Sequence, residues 1–112
     1  MRDAEAERRA HDVFDPICDD LFWRPGVDLG PMFGVEGVRI RGKVFAFVSY
    51  DGTVVVKLPS ARIDDLVDDG VGERMVMSGR AMREWMHADQ TQTEYWPRLV
   101  EDALTYVDSI TP

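Results

Sequence analysis

Apolar residues recur at three- and four-residue spacing in two stretches of the chain, one near each end. The first stretch, residues 4–23, predicts an amphipathic helix, and its apolar positions are Ala10, Phe14, Ile17, Cys18, Leu21 and Phe22. Because proline is tolerated in a first turn, a second helical segment that begins at Pro16 is the alternative to one continuous helix. The last stretch predicts a helix that begins near Thr93 or Glu94 and has one apolar stripe: Trp96, Leu99, Val100, Ala103, Leu104, Val107 and Ile110.

Between these two helices, the pattern is typical of strands and tight turns. Residues 26–37 are rich in glycine and proline and predict a loop. The β-prone runs are 38–40, 43–50 and 53–58, then 73–77 and 81–87, and Ser60 can cap a short helix between the two groups, at 61–68. The predicted order is α-β-β-β-α-β-β-α, which indicates an α+β protein.

Two predicted turns define the register of the sheet. Two-residue loops at positions 41–42 and 51–52 pair Val38 with Phe45 and Val48 with Val55. Alternation along the strands then gathers large apolar residues on one face: Val38, Ile40, Phe45, Phe47, Val54, Val56 and Leu58. We expect the two long helices to cover this face and to form the main core with it.

The opposite face of the predicted sheet carries an apolar stripe of Val44, Val48 and Val55, with Tyr50 at its rim. Helices cannot cover both faces of a two-layer protein, and exposed apolar patches usually mark contact surfaces. This face is therefore a candidate interface, and a homodimer is the simplest case. The alternative is that a terminal segment of the same chain folds over it.

Length and charge narrow the possible functions. A chain of 112 residues fits one domain, spanning 1–112. The net charge of −8 would repel a phosphate backbone, so we expect no direct non-specific binding to nucleic acid. A single cysteine, a charged N-terminus without an apolar signal core and the lack of a membrane-length apolar run predict a cytoplasmic protein with no membrane partner.

Candidate chemical groups are few and scattered. A structural zinc site needs four ligands, so His11 and His87 are interpreted as surface histidines. Cys18 lies on an apolar helical stripe, which favours a buried, inert thiol over a nucleophile. The four aspartates of the short helix lack the spacing of a calcium loop and fit a solvated face: Asp64, Asp65, Asp68 and Asp69. We therefore expect no catalytic residue, no metal and no cofactor.

Two further groups of residues have more than one interpretation. The basic residues near the first hairpin turn and the last strand form a candidate patch for an acidic partner or for phosphates: Arg39, Arg41, Lys43, Arg80 and Arg83. The alternative is that exposed turns simply carry charge. The methionines of the last two strands either fill the core or form an adaptable binding surface: Met75, Met77, Met82 and Met86.

Four short stretches together resemble a known family. They are Met32-Phe33-Gly34, Lys57-Leu58-Pro59, Ser78-Gly79-Arg80 followed by Met82-Arg83-Glu84-Trp85, and the final helix from Trp96 to Val107. Their order and spacing, over about residues 14–110, resemble the TfoX N-terminal domain family of Sxy-type competence regulators and their stand-alone relatives. The resemblance implies a bacterial protein with a two-layer α+β fold and one antiparallel sheet, similar to secretion-chaperone-like and YjbR-like proteins. It implies a stand-alone domain without the helical C-terminal domain of full-length regulators, and no enzyme activity.

These observations favour a non-enzymatic protein-interaction or regulatory module of the TfoX N-terminal type. The alternative is a secretion-chaperone-like dimer that binds a partner peptide, a hypothesis based on analogy between folds. A small hydrolase or ligand-binding enzyme is a third hypothesis, and it would require a pocket in which titratable groups converge.

Overall fold

The computed structural model describes residues 3–32 and 34–112, which form one antiparallel sheet and three α-helices. In chain order the elements are α1 (Ala4–Asp19), β1 (Val27–Met32), β2 (Val35–Ile40), β3 (Lys43–Val48), β4 (Val54–Lys57), α2 (Ser60–Asp68), β5 (Glu73–Met77), β6 (Arg80–Ala88), a 3₁₀ turn (Gln90–Gln92) and α3 (Trp96–Ile110). The strands lie side by side in the order β1-β2-β3-β4-β6-β5. The predicted α+β, two-layer class with an antiparallel sheet is confirmed, with one strand more than the sequence predicted.

Helix α1 is continuous through Pro16. Asp3 precedes the helix and its carboxylate accepts a hydrogen bond from the Ala6 N–H at 3.0 Å, which satisfies one of the unpaired donors of the first turn. Pro16 lies in the last turn, where a missing N–H costs one intrahelical hydrogen bond. The predicted extension to residue 23 is wrong, because the helix ends at Asp19.

Strand β1 lies in the segment that the sequence predicted as a loop. It pairs with β2 along its whole length, with Gly30 opposite Gly37. Pro31 is tolerated because β1 is an edge strand, where one missing N–H breaks no ladder. The Arg39 guanidinium crosses Gly30, and a Cβ there would come within 2.5 Å of it, so a larger residue would displace this flexible side chain. Phe33, which lies between β1 and β2 in the sequence, is outside the described residues.

The turn between β3 and β4 is longer than predicted. The Ser49 N–H donates to the Thr53 carbonyl at 3.0 Å, which leaves a three-residue loop that ends at Gly52 with φ of +81°. Val48 therefore pairs with Val54, and the predicted pairing of Val48 with Val55 is wrong. One additional loop residue turns every side chain of one strand to the opposite face relative to its partner.

A β-bulge alters the pairing of β2 with β3. Val38 pairs with Ala46 and Arg39 with Val44, so that Phe45 is the additional residue. The predicted pairing of Val38 with Phe45 is therefore wrong by one position. The two-residue turn at positions 41–42 is as predicted, because Ile40 pairs with Lys43 and both turn residues have positive φ.

The core lies between the three helices and one face of the sheet, and α2 contributes Ile63 and Leu66 to it. The apolar residues on that face are Val38, Ile40, Phe45, Ala46, Val48, Val54, Val56, Leu58, Met86 and Ala88. The predicted apolar stripe of α3 is buried against them from Trp96 to Val107, whereas Ile110 is exposed. Phe47 belongs to the opposite face, so its predicted place in the main core is a consequence of the wrong register.

Arg74 joins β5 to its neighbours. Its guanidinium donates to the carbonyl of Arg83 at 2.6 Å, to the carbonyl of Ser60 at 3.0 Å, and to the carboxylate of Asp64. The Ser60 hydroxyl accepts from the same guanidinium at 3.2 Å, and Pro59, rather than Ser60, precedes the first turn of α2. Arg74 thus bonds to polar groups of α2 and of the irregular part of the β5–β6 pair.

The helices of the described residues are short relative to a bilayer. None of them is long and apolar enough to cross a membrane.

Candidate functional site

The face of the sheet opposite to α1 and α3 is apolar at its centre and charged at its rim. Phe47 packs against Trp85 with ring centroids 5.9 Å apart. Val55 is 1% exposed, because its cross-strand partners are Phe47 on β3 and His87 on β6. Lys57 pairs with Trp85, and its ammonium group lies 5.7 Å from the indole centroid.

The predicted interface stripe of Val44, Val48 and Val55 does not exist as one exposed patch. Val48 is 1% exposed and lies in the helix-covered core, on the opposite side of the sheet from Val44 and Val55. Val44 is half-buried, and Tyr50 is exposed at the β3–β4 turn. The error has two causes. The three-residue loop places Val48 and Val55 on different faces, and the bulge at Phe45 places Val44 on the opposite face from Val48.

Two hollows of about 510 and 360 Å³ lie side by side at the end of the sheet at which Trp85 lies, and Lys57 and Trp85 line both of them. The larger hollow extends over the first half of β6, and the smaller one reaches Val44 and the C-terminal end of α3. We call these two hollows together the Trp85 groove.

Four cationic side chains line the Trp85 groove: Lys43, Lys57, Arg80 and Arg83. Within residues 3–32 and 34–112, none of the four forms an ion pair with a carboxylate, whereas the other eight arginines all do: Arg8, Arg9, Arg24, Arg39, Arg41, Arg62, Arg74 and Arg98. The unpaired positive charge of the described chain is therefore concentrated at one site, although the net charge is −8.

The one side-chain carboxylate that lines the groove is already bound. Glu84 accepts a hydrogen bond from the hydroxyl of Tyr106 on α3. That hydrogen bond, with smaller contributions from burial and from the negative charge of Glu84, raises the pKa of Tyr106 above its ordinary value. Glu84 therefore has one of its oxygens occupied and is tied to the helix layer.

The structure divides the predicted basic patch into two groups. Arg39 is held by Asp28, with its Nε and Nη2 at 2.8 and 2.7 Å from the two carboxylate oxygens, and this pairing lowers the pKa of Asp28. Arg41 donates to the Asp108 carboxylate at 2.5 Å and to the Thr111 carbonyl at 2.6 Å, so that it binds carbonyl and carboxylate groups at the end of α3. Lys43, Arg80 and Arg83 are the members that line the Trp85 groove.

Sequence reasoning missed Lys57 and Trp85 as members of the site. Both were recognised only as parts of a strand end and of a family motif. The β4–β6 pairing brings them together, and these two strands are separated in the chain by α2 and β5. The only signal in the sequence was that a lysine and a tryptophan lie in two of the resemblance motifs.

The histidines and the cysteine lie apart from the groove. Nδ1 of His11 lies 2.8 Å from the Asp15 carboxylate, and Nε2 of His87 lies 3.9 Å from that of Glu73. Burial, reinforced by Asp15 and Asp19, raises the pKa of the Cys18 thiol to about 12, which disfavours the thiolate that a nucleophile requires. Over the described ranges, no three His, Cys, Asp or Glu side chains are placed to hold a metal ion together.

Comparison with known proteins does not assign this chain to a family. No protein-family model matches the chain, and neither a curated protein nor a solved structure matches it significantly. The resemblance to the TfoX N-terminal domain family therefore stays a prediction, supported by the motifs quoted above.

Proposed function

We propose that this protein is a non-enzymatic interaction module, regulatory in the manner of the TfoX N-terminal domains, and that it binds an acidic segment of a partner protein in the Trp85 groove. The observation that carries the proposal is the concentration of unpaired cations in that groove. A protein with a net charge of −8 has carboxylates in excess, yet these four side chains are not neutralised by any carboxylate of the described chain.

The chemistry of the groove defines the partner segment. Lys57, Arg80 and Arg83 offer ammonium and guanidinium donors to carboxylates, and the half-buried indole of Trp85 offers an apolar surface beside them. Exposed ion pairs are worth only about 0.2–1 kcal/mol each, whereas aromatic residues in partly desolvated pockets often dominate binding. An extended segment in which Asp or Glu alternates with apolar residues meets both requirements.

An NMR titration tests the proposal. The probe is an eight-residue synthetic peptide of alternating glutamate and phenylalanine, added to ¹⁵N-labelled protein. The indole N–H signal of Trp85, identified with the Trp85→Phe variant, is expected to shift during the titration, and the affinity is expected to fall as salt is added. The double variant Lys57→Gln/Arg83→Gln is expected to bind about tenfold more weakly, because two rim contacts are lost.

A matched variant controls for net charge. Arg8→Gln with Arg98→Gln removes the same charge from residues that form ion pairs on α1 and α3, and it is expected to bind the peptide as the wild type does. A peptide of alternating lysine and phenylalanine that shifts the Trp85 signal equally would contradict the proposal. Tighter binding of a single-stranded oligonucleotide would assign the groove to nucleic acid instead.

The open edge of β5 favours a second candidate function, a homodimer that presents one partner-binding surface on each subunit. In the sheet order, β5 is a terminal strand, so one row of its backbone donors and acceptors faces away from the sheet. A dimer formed there leaves Lys43, Lys57 and Trp85 free to bind a segment. The two candidates are therefore compatible, and each has its own test.

A further inference from the structure

The two edges of the sheet differ in how they are protected against pairing. Edge strand β1 contains Pro31, which has no N–H, and its Asp28 carboxylate is bound by Arg39. Edge strand β5 contains no proline, and its last two residues are exposed apolar side chains, Val76 at 63% and Met77 at 41%. Exposed apolar residues on an unprotected edge are a template for pairing with another strand.

Charge is distributed along β5 in a self-complementary way. The strand begins at Glu73, soon after the exposed Asp68 and Asp69 of the preceding helix end. The other end of β5 lies beside Arg80 of β6, which pairs with Met77. The charge of Arg74, next to Glu73, is neutralised by Asp64, so the edge region is acidic at one end and basic at the other.

We infer that β5 pairs antiparallel with β5 of a second copy of this chain, about a twofold axis near the middle of the strand. Antiparallel pairing places the Glu73 end of each copy against the Arg80 end of the other, so that the favourable charge contact occurs twice. Parallel pairing would bring like charges together at both ends. Charge complementarity therefore favours a second copy as the partner and the antiparallel orientation of its β5.

The Arg74 side chain holds β5 in a fixed position for this pairing. Its bonds to the Arg83 and Ser60 carbonyls join β5 to β6 and α2, so the outer row of β5 is presented by a fixed strand. The pairing segment is only five residues long, which is small for a stable interface. The dimer is accordingly weak and assembles at high protein concentration.

The test is a pair of charge-reversal variants studied by sedimentation velocity over a range of about 5–500 µM, where weak dimers of small interface are detected. The wild type is expected to dimerise within this range. Glu73→Arg alone and Arg80→Glu alone each place like charges across the twofold axis and are expected to weaken the dimer at least about fivefold. An equimolar mixture of the two single variants restores both opposite-charge contacts and is expected to form a heterodimer at lower concentration than either variant alone.

The matched control is a variant near the opposite edge of the sheet. Glu36→Arg changes an exposed glutamate of β2 by the same charge and is expected to leave dimerisation unchanged. A wild type that is monomeric throughout the range overturns the inference, and so does a dimer whose stability is the same in all four samples. Arg80 lines the Trp85 groove but Glu73 does not, so the Glu73→Arg variant, tested in both assays, separates a failure here from a failure of the peptide titration.

Discussion

The guanidinium of Arg74 donates a hydrogen bond to the backbone carbonyl of Arg83 at 2.6 Å, across the irregular part of the β5–β6 pair. The Arg74 side chain also reaches Ser60 and Asp64, and no other side chain that we describe joins α2, β5 and β6 in this way. It therefore compensates for ladder bonds that the irregular pairing does not make.

Substitution of Arg74 tests this role. Arg74→Ala is expected to lower the free energy of unfolding by about 2–3 kcal/mol, because hydrogen bonds to charged groups are worth more than neutral ones and the carbonyls lose their donor. Arg74→Lys supplies one ammonium group in place of a planar fork and is expected to recover less than half of the loss. Urea unfolding followed by circular dichroism measures both. A loss below about 0.5 kcal/mol for the alanine variant would mean that the irregular edge needs no such support.

Val44 and Val48, four residues apart on β3, are expected to respond differently when each is replaced by aspartate. Val48→Asp buries a carboxylate in the helix-covered core and is expected to cost at least about 3–5 kcal/mol. Val44→Asp places the same group on the opposite, half-buried face, beside Lys43 and Lys57, and is expected to cost about 1 kcal/mol or less. Chemical denaturation compares them, and equal losses would show that the register of β3 is wrong.

Cys18 is expected to be unreactive while the protein is folded. Its thiol has a pKa raised to about 12, mainly by burial, so at pH 8 the thiolate fraction is about a thousandfold smaller than that of an ordinary cysteine. Labelling with a thiol-specific disulfide reagent is expected to be slow in buffer and fast in urea. Stoichiometric labelling of native protein within minutes would contradict the burial of this side chain in α1.

Asp51 is expected to contribute to the loss of folding stability at acidic pH. Burial raises its pKa, but hydrogen bonds from Ser49 and Thr53 outweigh burial, and the net pKa lies below the ordinary value. A carboxylate with a depressed folded pKa stabilises the protein above its unfolded pKa, near 3.9, and loses that contribution as pH falls through the folded pKa.

The measurement compares Asp51→Asn with the wild type at pH 6 and at pH 3. The wild type is expected to be more stable than Asp51→Asn at pH 6. The difference is expected to shrink at pH 3, because that pH lies below the unfolded pKa of about 3.9 and the stabilising contribution of the carboxylate is then being lost. Asp65→Asn, an exposed position on α2, serves as the control. An equal difference at both pH values would mean that the amide reproduces every contact of the carboxylate.

The sequence predicted the fold class because its strongest patterns are long. The apolar stripe from Trp96 to Val107 and the β-prone runs from Lys43 to Leu58 depend on periodicity alone, and both are present in the structure. Strand β1 was not predicted, because Asp28, Gly30 and Pro31 are poor strand formers. In the folded sheet the Arg39 guanidinium crosses Gly30, and Pro31 is tolerated because β1 is an edge strand. Neither circumstance can be read from the local sequence.

The candidate site was harder to predict than the fold. Two single-residue errors in strand register placed several of its side chains on the wrong face of the sheet. An aspartate followed by glycine indicates a two-residue turn, but the Asp51 side chain bonds Ser49 and Thr53 and stabilises a three-residue loop. The bulge at Phe45 likewise leaves no mark in an apolar run. The Trp85 groove depends on the β4–β6 pairing, and these two strands are separated in the chain by α2 and β5, so local patterns do not contain that information.

The placement of charge also governs how the molecule approaches others before contact. With a net charge of −8 and the unpaired cations of its described residues at one end of the sheet, the molecule is an electric dipole as well as an anion. A negatively charged partner repels the whole molecule at long range but turns it so that Lys57 and Arg83 lead. Such orientation raises the share of collisions that are productive, and the association rate rather than the lifetime of the complex then varies most with ionic strength.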